Sequence, residues 1–265
     1  MPYNLQGRNV LVTGASKLDG LGACIAKKFA AEKCNIAIHY FTSKEGAEQV
    51  AKNIEKDYGV KTILVQGNVA RREDCERVIQ EAIDGLNGLD IVVSNAGFTK
   101  FPELGKEGAK FGDFDFMTEE DWDKAWAVNC KANLHLLREA LPTFKANQDG
   151  GVFLLTSSIA GVTAAGSTMA YSVTKAAGLH LVKCLASTQG PKVRVNAILP
   201  GLLLTEWGLK FPKEIQQQVC QKAYLGKETD LDDCADAFVA AAKNSSMTGQ
   251  NIQIDSGLAM LGRAS

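Results

Sequence analysis

An excess of charge of either sign is missing from this sequence: 29 Lys and Arg stand against 30 Asp and Glu. No basic surplus therefore points to nucleic acid or to an anionic membrane surface. No apolar run approaches the roughly 20 residues that span a bilayer. The opening Met1-Pro2-Tyr3-Asn4-Leu5-Gln6-Gly7-Arg8 also lacks the charged-then-apolar order of a signal peptide. These absences lead us to expect a soluble, cytoplasmic protein whose partner is a small molecule. The three histidines, His39, His135 and His180, are dispersed and match no metal-ligand spacing, so no metal is expected. The seven cysteines, Cys24, Cys34, Cys75, Cys130, Cys184, Cys220 and Cys234, stand singly without a Cys-x-x-Cys pair and read as reduced packing residues. Linkers, repeats and low-complexity tracts are missing too, and the 265 residues read as a single domain, 1–265.

What the chain does have is alternation. Residues 8–13, with the run Val10-Leu11-Val12, read as a strand buried on both faces. The turn Gly14-Ala15-Ser16-Lys17-Leu18-Asp19-Gly20-Leu21-Gly22 then opens a helix with Leu21, Ile25 and Phe29 on its apolar face. Strand, glycine turn and helix form a phosphate-binding context, because free backbone N–H groups and the positive helix end favour an anion. Further strands are expected over 35–40, 61–66, 89–94, 152–157, 192–199 and 250–255, and helices over 43–58, 71–86, 119–146, about 171–189 and 231–243. Short strands separated by long helices imply crossover connections. The fold class is therefore α/β: a doubly wound, Rossmann-type domain with a mostly parallel seven-stranded sheet flanked by helices and ligands at the strands' carboxyl ends.

Two segments break the rhythm. Residues 98–120 carry the aromatics Phe101, Phe111, Phe114 and Phe116 and read as a substrate-side or subunit-side flap. Substrate wall, local packing and subunit contact remain equal readings of those rings. Thr118 is placed to cap the following helix, with Asp121 completing a weakened capping box and Pro142 placed to kink or divide it. Residues 202–224 read as a short helical cover over the same sheet edge. Asp19 and Asp90 form no convincing catalytic carboxylate pair, since Asp90 opens a strand, where turn duty is commoner.

The chemistry centres on Tyr171-Ser172-Val173-Thr174-Lys175, which sets a phenol and an ammonium on one helix face. A tyrosine with its ordinary pKa of about 10 shuttles protons poorly at neutral pH, and an adjacent cation favours its ionised form. Lowering it by roughly two or three units takes about 3 to 4 kcal/mol, close to what one unit charge supplies at 4 Å in an effective dielectric near 20. Ser158 follows the apolar run Val152-Phe153-Leu154-Leu155, where a strand end can present its hydroxyl beside the phenol. Alone, the Tyr-x-x-x-Lys spacing is common on helices; company is needed to give it weight.

That company resembles the short-chain dehydrogenase/reductase family, classical type, over nearly the whole chain. Thr13-Gly14 with Gly20 and Gly22 resembles the family's cofactor turn, and Asn95-Ala96-Gly97 its Asn-Ala-Gly segment. Asn129, Ser158, Tyr171 and Lys175 resemble its catalytic tetrad, and Asn196 with Pro200-Gly201 and Thr205 its Asn-x-x-x-Pro-Gly-x-x-x-Thr ending. The resemblance implies Tyr171 as general acid or base and Ser158 as the hydrogen-bond partner of the substrate oxygen. It implies that Lys175 lowers the tyrosine's pKa and binds the nicotinamide ribose. It also implies that Asn129 interrupts its helix and holds a water linking Lys175 to solvent. The implied cofactor contacts are Gly14, Ser16, Lys17, Gly20, Leu21, Gly22, Tyr40, Ser43, Asn68, Val69, Asn95, Ala96, Gly97, Tyr171, Lys175, Pro200, Gly201, Leu203 and Thr205. A homodimer or homotetramer is implied as well, built on the helices holding Asn129 and Tyr171.

Three features depart from the family pattern. Five residues separate Gly14 from Gly20, where the typical member has three; this resembles the divergent enoyl-reductase branch, although that branch spaces its tyrosine and lysine more widely. Asn68 stands where many members carry an aspartate near the adenine, and the connection from Gly97 to Asn129 is lengthened. Cofactor choice turns on His39-Tyr40-Phe41-Thr42-Ser43-Lys44, which offers no acidic side chain for a ribose 2′-hydroxyl. NADP(H) is therefore expected over NAD(H), with Ser43, Lys44 and Lys17 as partners of the 2′-phosphate; both lysines read equally well as solvated surface residues. The expected reaction interconverts a carbonyl and an alcohol on a small or medium, rather apolar substrate. The alternatives are an isomerase, dehydratase or cyclase without net redox change, or a cofactor-bound regulatory protein without turnover.

Overall fold

Apolar runs too short for helices become the strands of one sheet in the computed structural model, which describes residues 3–102 and 114–260. In chain order the elements are β1 (Asn9–Val12), α1 (Leu21–Ala31), β2 (Asn35–Tyr40), α2 (Lys44–Tyr58), β3 (Thr62–Gln66), α3 (Arg72–Leu86) and β4 (Ile91–Ser94). There follow α4 (Glu119–Trp126), α5 (Ala132–Ala146), β5 (Gly151–Thr156), α6 (Met169–Gln189), β6 (Val193–Pro200), α7 (Lys213–Lys222), α8 (Leu231–Lys243) and β7 (Asn251–Ile254). The sheet order is β3-β2-β1-β4-β5-β6-β7, and every pairing is parallel.

Strand side chains alternate between two cores, which is why the strands are apolar throughout rather than alternating with polar residues. Val10, Val12, Ile36 and Ile38 face one layer with Ile25 and Phe29 of α1, Ile54 of α2 and Phe238 of α8. Leu11, Ala37 and Val92 face the other with Val78 and Ile79 of α3, Leu136 and Leu137 of α5 and Val182 of α6. Each large side chain so buried contributes about 1.5–3 kcal/mol before entropy is charged against it. The order reverses between β1 and β4, and at such a switch point the loops after neighbouring strands part to leave a crevice at the carboxyl edge.

Several expectations need correction. The helix expected over 119–146 is three pieces: a wide π turn, Ala127–Lys131, separates α4 from α5. Pro142 lies inside α5 without dividing it. The break falls at Asn129, as the family resemblance implied, and not at the proline. The Thr118 capping box does form, with Thr118 Oγ1 accepting from the Asp121 N–H at 3.2 Å and Asp121 Oδ2 accepting from the Thr118 N–H at 3.1 Å. Cys24, Cys34, Cys75 and Cys234 are buried, and burial pushes the last three thiols up to about 12. Cys184 is exposed instead, on the outer face of α6. Phe111 and the middle of the 98–120 segment lie outside the described residues. No helix among the described residues is long and apolar enough to cross a membrane.

Candidate active site

The carboxyl edge is assembled by short polar side chains that tie one strand end to the next. Thr13 Oγ1 accepts from the main-chain N–H groups of Asn95 at 2.8 Å and Ala96 at 2.9 Å. Asn95 Nδ2 donates to the Thr13 carbonyl at 2.9 Å and the Gly14 carbonyl at 3.2 Å, and Asn95 Oδ1 accepts from Thr156 Oγ1 at 3.2 Å. The ends of β1, β4 and β5 are thus fixed to one another. Gly14 has a φ of +64°, a left-handed conformation glycine adopts without strain. Gly22 packs so closely beneath it that a Cβ would lie 2.4 Å from the Gly14 carbonyl oxygen and 2.6 Å from Asn95 Nδ2.

The end of α1 that follows this turn is open. Gly20 occupies the N-cap with no side chain to bond the first amides, and no acidic residue lies in the first turn. Free N–H groups at a positive helix end suit an anion. The lengthened turn itself leans away: Lys17 Nζ pairs with Glu206 Oε2 at 3.1 Å, in the segment after β6. The Ser16 carbonyl meets Gly46 of α2, where a Cβ would stand only 2.2 Å away. Among the other expected cofactor contacts, Tyr40 is buried at the end of β2, and Ser43 caps α2 in position only, its side chain making no capping bond. Lys44 lies 3.7 Å from Glu48. Asn68 Oδ1 accepts from the Ala70 N–H at 3.1 Å, and the Val69 side chain is in the core. Pro200 ends β6; Gly201 abuts Thr229, Leu203 packs on the core and the Thr205 carbonyl accepts from the Leu209 N–H at 2.9 Å.

The structure brings Asn129 and Lys175 to Gly97, with Tyr171 over Lys175 and Ser158 beside Tyr171. Asn129, in the π turn, receives the Phe98 N–H on Oδ1 at 2.7 Å and donates through Nδ2 to the Phe98 carbonyl at 2.8 Å and to Thr174 Oγ1 at 3.0 Å. It thereby locks the β4 loop to α6. Lys175 is 4% exposed and donates from Nζ to the Thr156 carbonyl at 2.7 Å, with Nζ 5.4 Å from the centre of the Tyr171 ring. A Cβ on Gly97 would stand 3.6 Å from Asn129 Oδ1, 3.8 Å from Lys175 Nζ and 3.6 Å from the Trp207 ring. Ser158 Oγ accepts from the Ala160 N–H at 3.1 Å, which leaves its proton to donate, and its hydroxyl acts on the Tyr171 phenol to lower the pKa against burial.

The electrostatics differ from the expectation. Burial pushes the Tyr171 phenol up to about 12, with only the Ser158 hydroxyl opposing, and pushes Lys175 down to about 8. Desolvation penalises both charged forms, and Nζ is held by the Thr156 carbonyl beneath the ring rather than at the phenol oxygen. Sequence reasoning also missed three positioning residues. His39, dismissed as a dispersed histidine, bonds the Gly14 N–H. Asn133 Nδ2 donates to the Asn129 carbonyl at 2.8 Å. Trp207 closes the space beside Gly97. For Asn133 alone a signal existed, four residues beyond Asn129 on the same helical face.

Known proteins resemble this chain along most of its length. A family model described as enoyl-(acyl carrier protein) reductase matches residues 14–259. The 3-oxoacyl-(acyl-carrier-protein) reductase of Staphylococcus aureus is 31% identical, covering 96% of this chain and 98% of that one. The chain belongs to the short-chain dehydrogenase/reductase family. A short-chain dehydrogenase from Burkholderia cenocepacia, solved in complex with NADP, superposes with a TM-score of 0.85 at 28% identity, covering 97% of this chain and 99% of its own. The NADPH-dependent 3-quinuclidinone reductase of Rhodotorula rubra does so with a TM-score of 0.85 at 28% identity, covering 96% and 92%. The fold and family of an oxidoreductase are therefore in place, and the open α1 terminus and glycine turn are a cradle that a dinucleotide's pyrophosphate fits.

Proposed function

We propose that this short-chain dehydrogenase/reductase interconverts a carbonyl and an alcohol with NADP(H), working as one nucleotide-binding and catalytic unit with Tyr171 as general acid and base. The carrying observation is the grouping of Asn129 and Lys175 at Gly97, of Tyr171 over Lys175 and of Ser158 beside Tyr171, on the sheet edge that also carries an uncapped helix end. The nicotinamide ring, when bound, supplies or accepts the hydride. Ser158, its lone pair engaged by Ala160, donates to the substrate oxygen. Tyr171, protonated at neutral pH, delivers its phenolic proton to the same oxygen during reduction and recovers it in oxidation. Lys175 places a fixed cation beneath the phenol, stabilising the phenolate left behind. Asn129 holds Phe98 and Thr174, and so the spacing between the floor of the site and α6.

Preference for the phosphorylated cofactor is supported by the end of β2. No carboxylate stands among Phe41, Thr42, Ser43 and Lys44, and the α2 N-terminus, whose first turn carries Glu45, lacks a side-chain cap beside the Ser43 hydroxyl and the Lys44 ammonium. Lys17, turned to Glu206, is not part of that support. Exposed Met169 and Val173 on α6 support a homodimer or homotetramer.

The test is turnover of a panel of ketones, aldehydes and quinones with NADPH and with NADH. We expect NADPH to be preferred, and Tyr171→Phe to abolish reduction while cofactor binding persists. A clear NADH preference would overturn the cofactor assignment; an active Tyr171→Phe would overturn the mechanism.

A further inference from the structure

A cavity of about 600 Å³ is lined by Phe98, Thr99, Phe101 and Pro102, directly after Gly97 in the chain. Its walls continue those of the site. Phe98 is the residue whose main chain Asn129 holds, and Phe101 meets Trp207 edge to face with ring centres 6.3 Å apart. Trp207 in turn reaches within 3.6 Å of the space above Gly97, beside Lys175 Nζ. A molecule whose reacting carbon lies at Tyr171 therefore extends naturally along these rings.

The cavity is also cationic. Among the described residues Lys100, Lys124 and Lys210 line it against one carboxylate, Asp121, and that carboxylate is taken by Lys100. Lys124 Nζ stands 4.5 Å from the centre of the Phe98 ring and Lys210 Nζ 5.4 Å from that of Phe101. Among the described residues Lys210 pairs with Glu206 at 3.8 Å, and Glu206 is more closely engaged by Lys17 at 3.1 Å. Ring faces hold the two ammonium groups at the wall, where both lysines stay exposed to solvent. They also offer apolar surface to whatever lies between the ammonium groups and the catalytic residues. Apolar walls ending in positive charge match an apolar body ending in negative charge.

We infer that the substrate is an apolar or aromatic carbonyl compound bearing an oxyanion group, a carboxylate or a phosphate, at the end remote from the reacting carbon, and that Lys124 and Lys210 receive that group. This rests on the carbonyl-reductase reading for the direction in which the molecule lies. It commits to a substrate class that the tetrad does not specify.

The experiment compares 4-acetylbenzoate, 4-acetylphenyl phosphate and the neutral methyl 4-acetylbenzoate as substrates with NADPH. In the native enzyme kcat/KM for at least one anion should exceed that for the ester by up to about tenfold, as two solvent-exposed ammonium groups allow. The difference should lie in KM and shrink at high salt. Which anion leads separates a carboxylate from a phosphate site. In the Lys124→Ala, Lys210→Ala double variant the anion-to-ester ratio should fall towards one. A ratio near one in the native enzyme, or one unmoved in the double variant, overturns the inference. Calorimetric titration of the NADPH complex with the same three compounds reads binding without turnover. Tighter anion binding that the double variant loses sustains the inference even where no ketone is reduced. Equal binding of anion and ester, or no binding of any of the three, overturns it.

Discussion

His39 Nδ1 accepts the main-chain N–H of Gly14 at 3.1 Å, while Nε2 on the opposite side of the ring meets the Gly67 carbonyl at 3.0 Å. An N–H on one side and a carbonyl on the other admit one neutral tautomer, with the proton on Nε2. The ring is 1% exposed, and burial lowers its pKa from the ordinary 6.5 to about 4. Protonation would set a second N–H against Gly14, so the glycine turn depends on a neutral imidazole. The folded pKa lies below the unfolded one. The contribution is therefore full above about pH 6.5 and is lost as pH falls from there through about 4, to a total of about 3 kcal/mol. Urea unfolding of the native protein and of His39→Asn between pH 4.5 and 8 should show a shallower acid loss in the variant. Parallel curves would refute the linkage.

Two glycines on this edge should respond oppositely to a methyl group. A Cβ on Gly22 would meet the Gly14 carbonyl oxygen at 2.4 Å and the Ala15 Cα at 3.0 Å, backbone that cannot turn aside. Gly22→Ala should cost about 1–3 kcal/mol of stability and weaken cofactor binding by displacing the turn. A Cβ on Gly97 finds its nearest neighbour at 3.6 Å. Gly97→Ala should leave Tm nearly unchanged and reduce kcat/KM, because the methyl enters the space between Lys175 and Trp207. Equal losses of Tm in the two variants would contradict this division.

Much of the fold was readable because its signals are local and repeated. Val10-Leu11-Val12 and Leu231–Lys243 announce strand and helix by apolar period alone, and α8 falls where that period placed it. Tyr171, Lys175, Ser158 and Asn129 were readable as spacing within a family pattern. What escaped depends on groups distant in the chain. His39 acquires its role from a main-chain N–H 25 positions away, and nothing in its neighbours announces that. Lys17 turned to Glu206 because a lengthened turn has no period from which to read its direction. The direction of the Tyr171 shift required knowing how deeply phenol and ammonium are buried, since desolvation and the neighbouring charge act in opposite senses. Pro142 sits inside α5 without breaking it, whereas the widening at Asn129, thirteen residues earlier, was legible only through the family pattern.

That widening has a dedicated partner. Where a helix passes through a π turn, main-chain carbonyls lose their usual donors, and Asn133 Nδ2 bonds those of Asn129 at 2.8 Å and Cys130 at 3.3 Å. Asn133 is 2% exposed, so replacing its amide by an isosteric apolar group leaves buried acceptors unpaired. Asn133→Leu should lose about 1–3 kcal/mol of stability. If the Asn129 carbonyl also takes part in proton supply to Lys175, kcat should fall further than in a distant core variant of equal Tm. Unchanged Tm and kcat together would show the bond to be incidental.

The pH dependence of reduction should report Lys175 and not Tyr171. Burial lowers the lysine to about 8 and raises the phenol to about 12, so the phenol keeps its proton throughout the range in which the ammonium loses its own. The cation that stabilises the departing phenolate is thus present below about pH 8 and lost above it. In native enzyme kcat for reduction should therefore decline as pH rises through about 8. A guanidinium stays protonated in this range, so in Lys175→Arg, whatever its absolute rate, that limb should vanish between pH 7 and 9.5. A limb of unchanged midpoint in the arginine variant would assign the titration to the phenol, and would reverse the order of acidities that burial imposes on the pair.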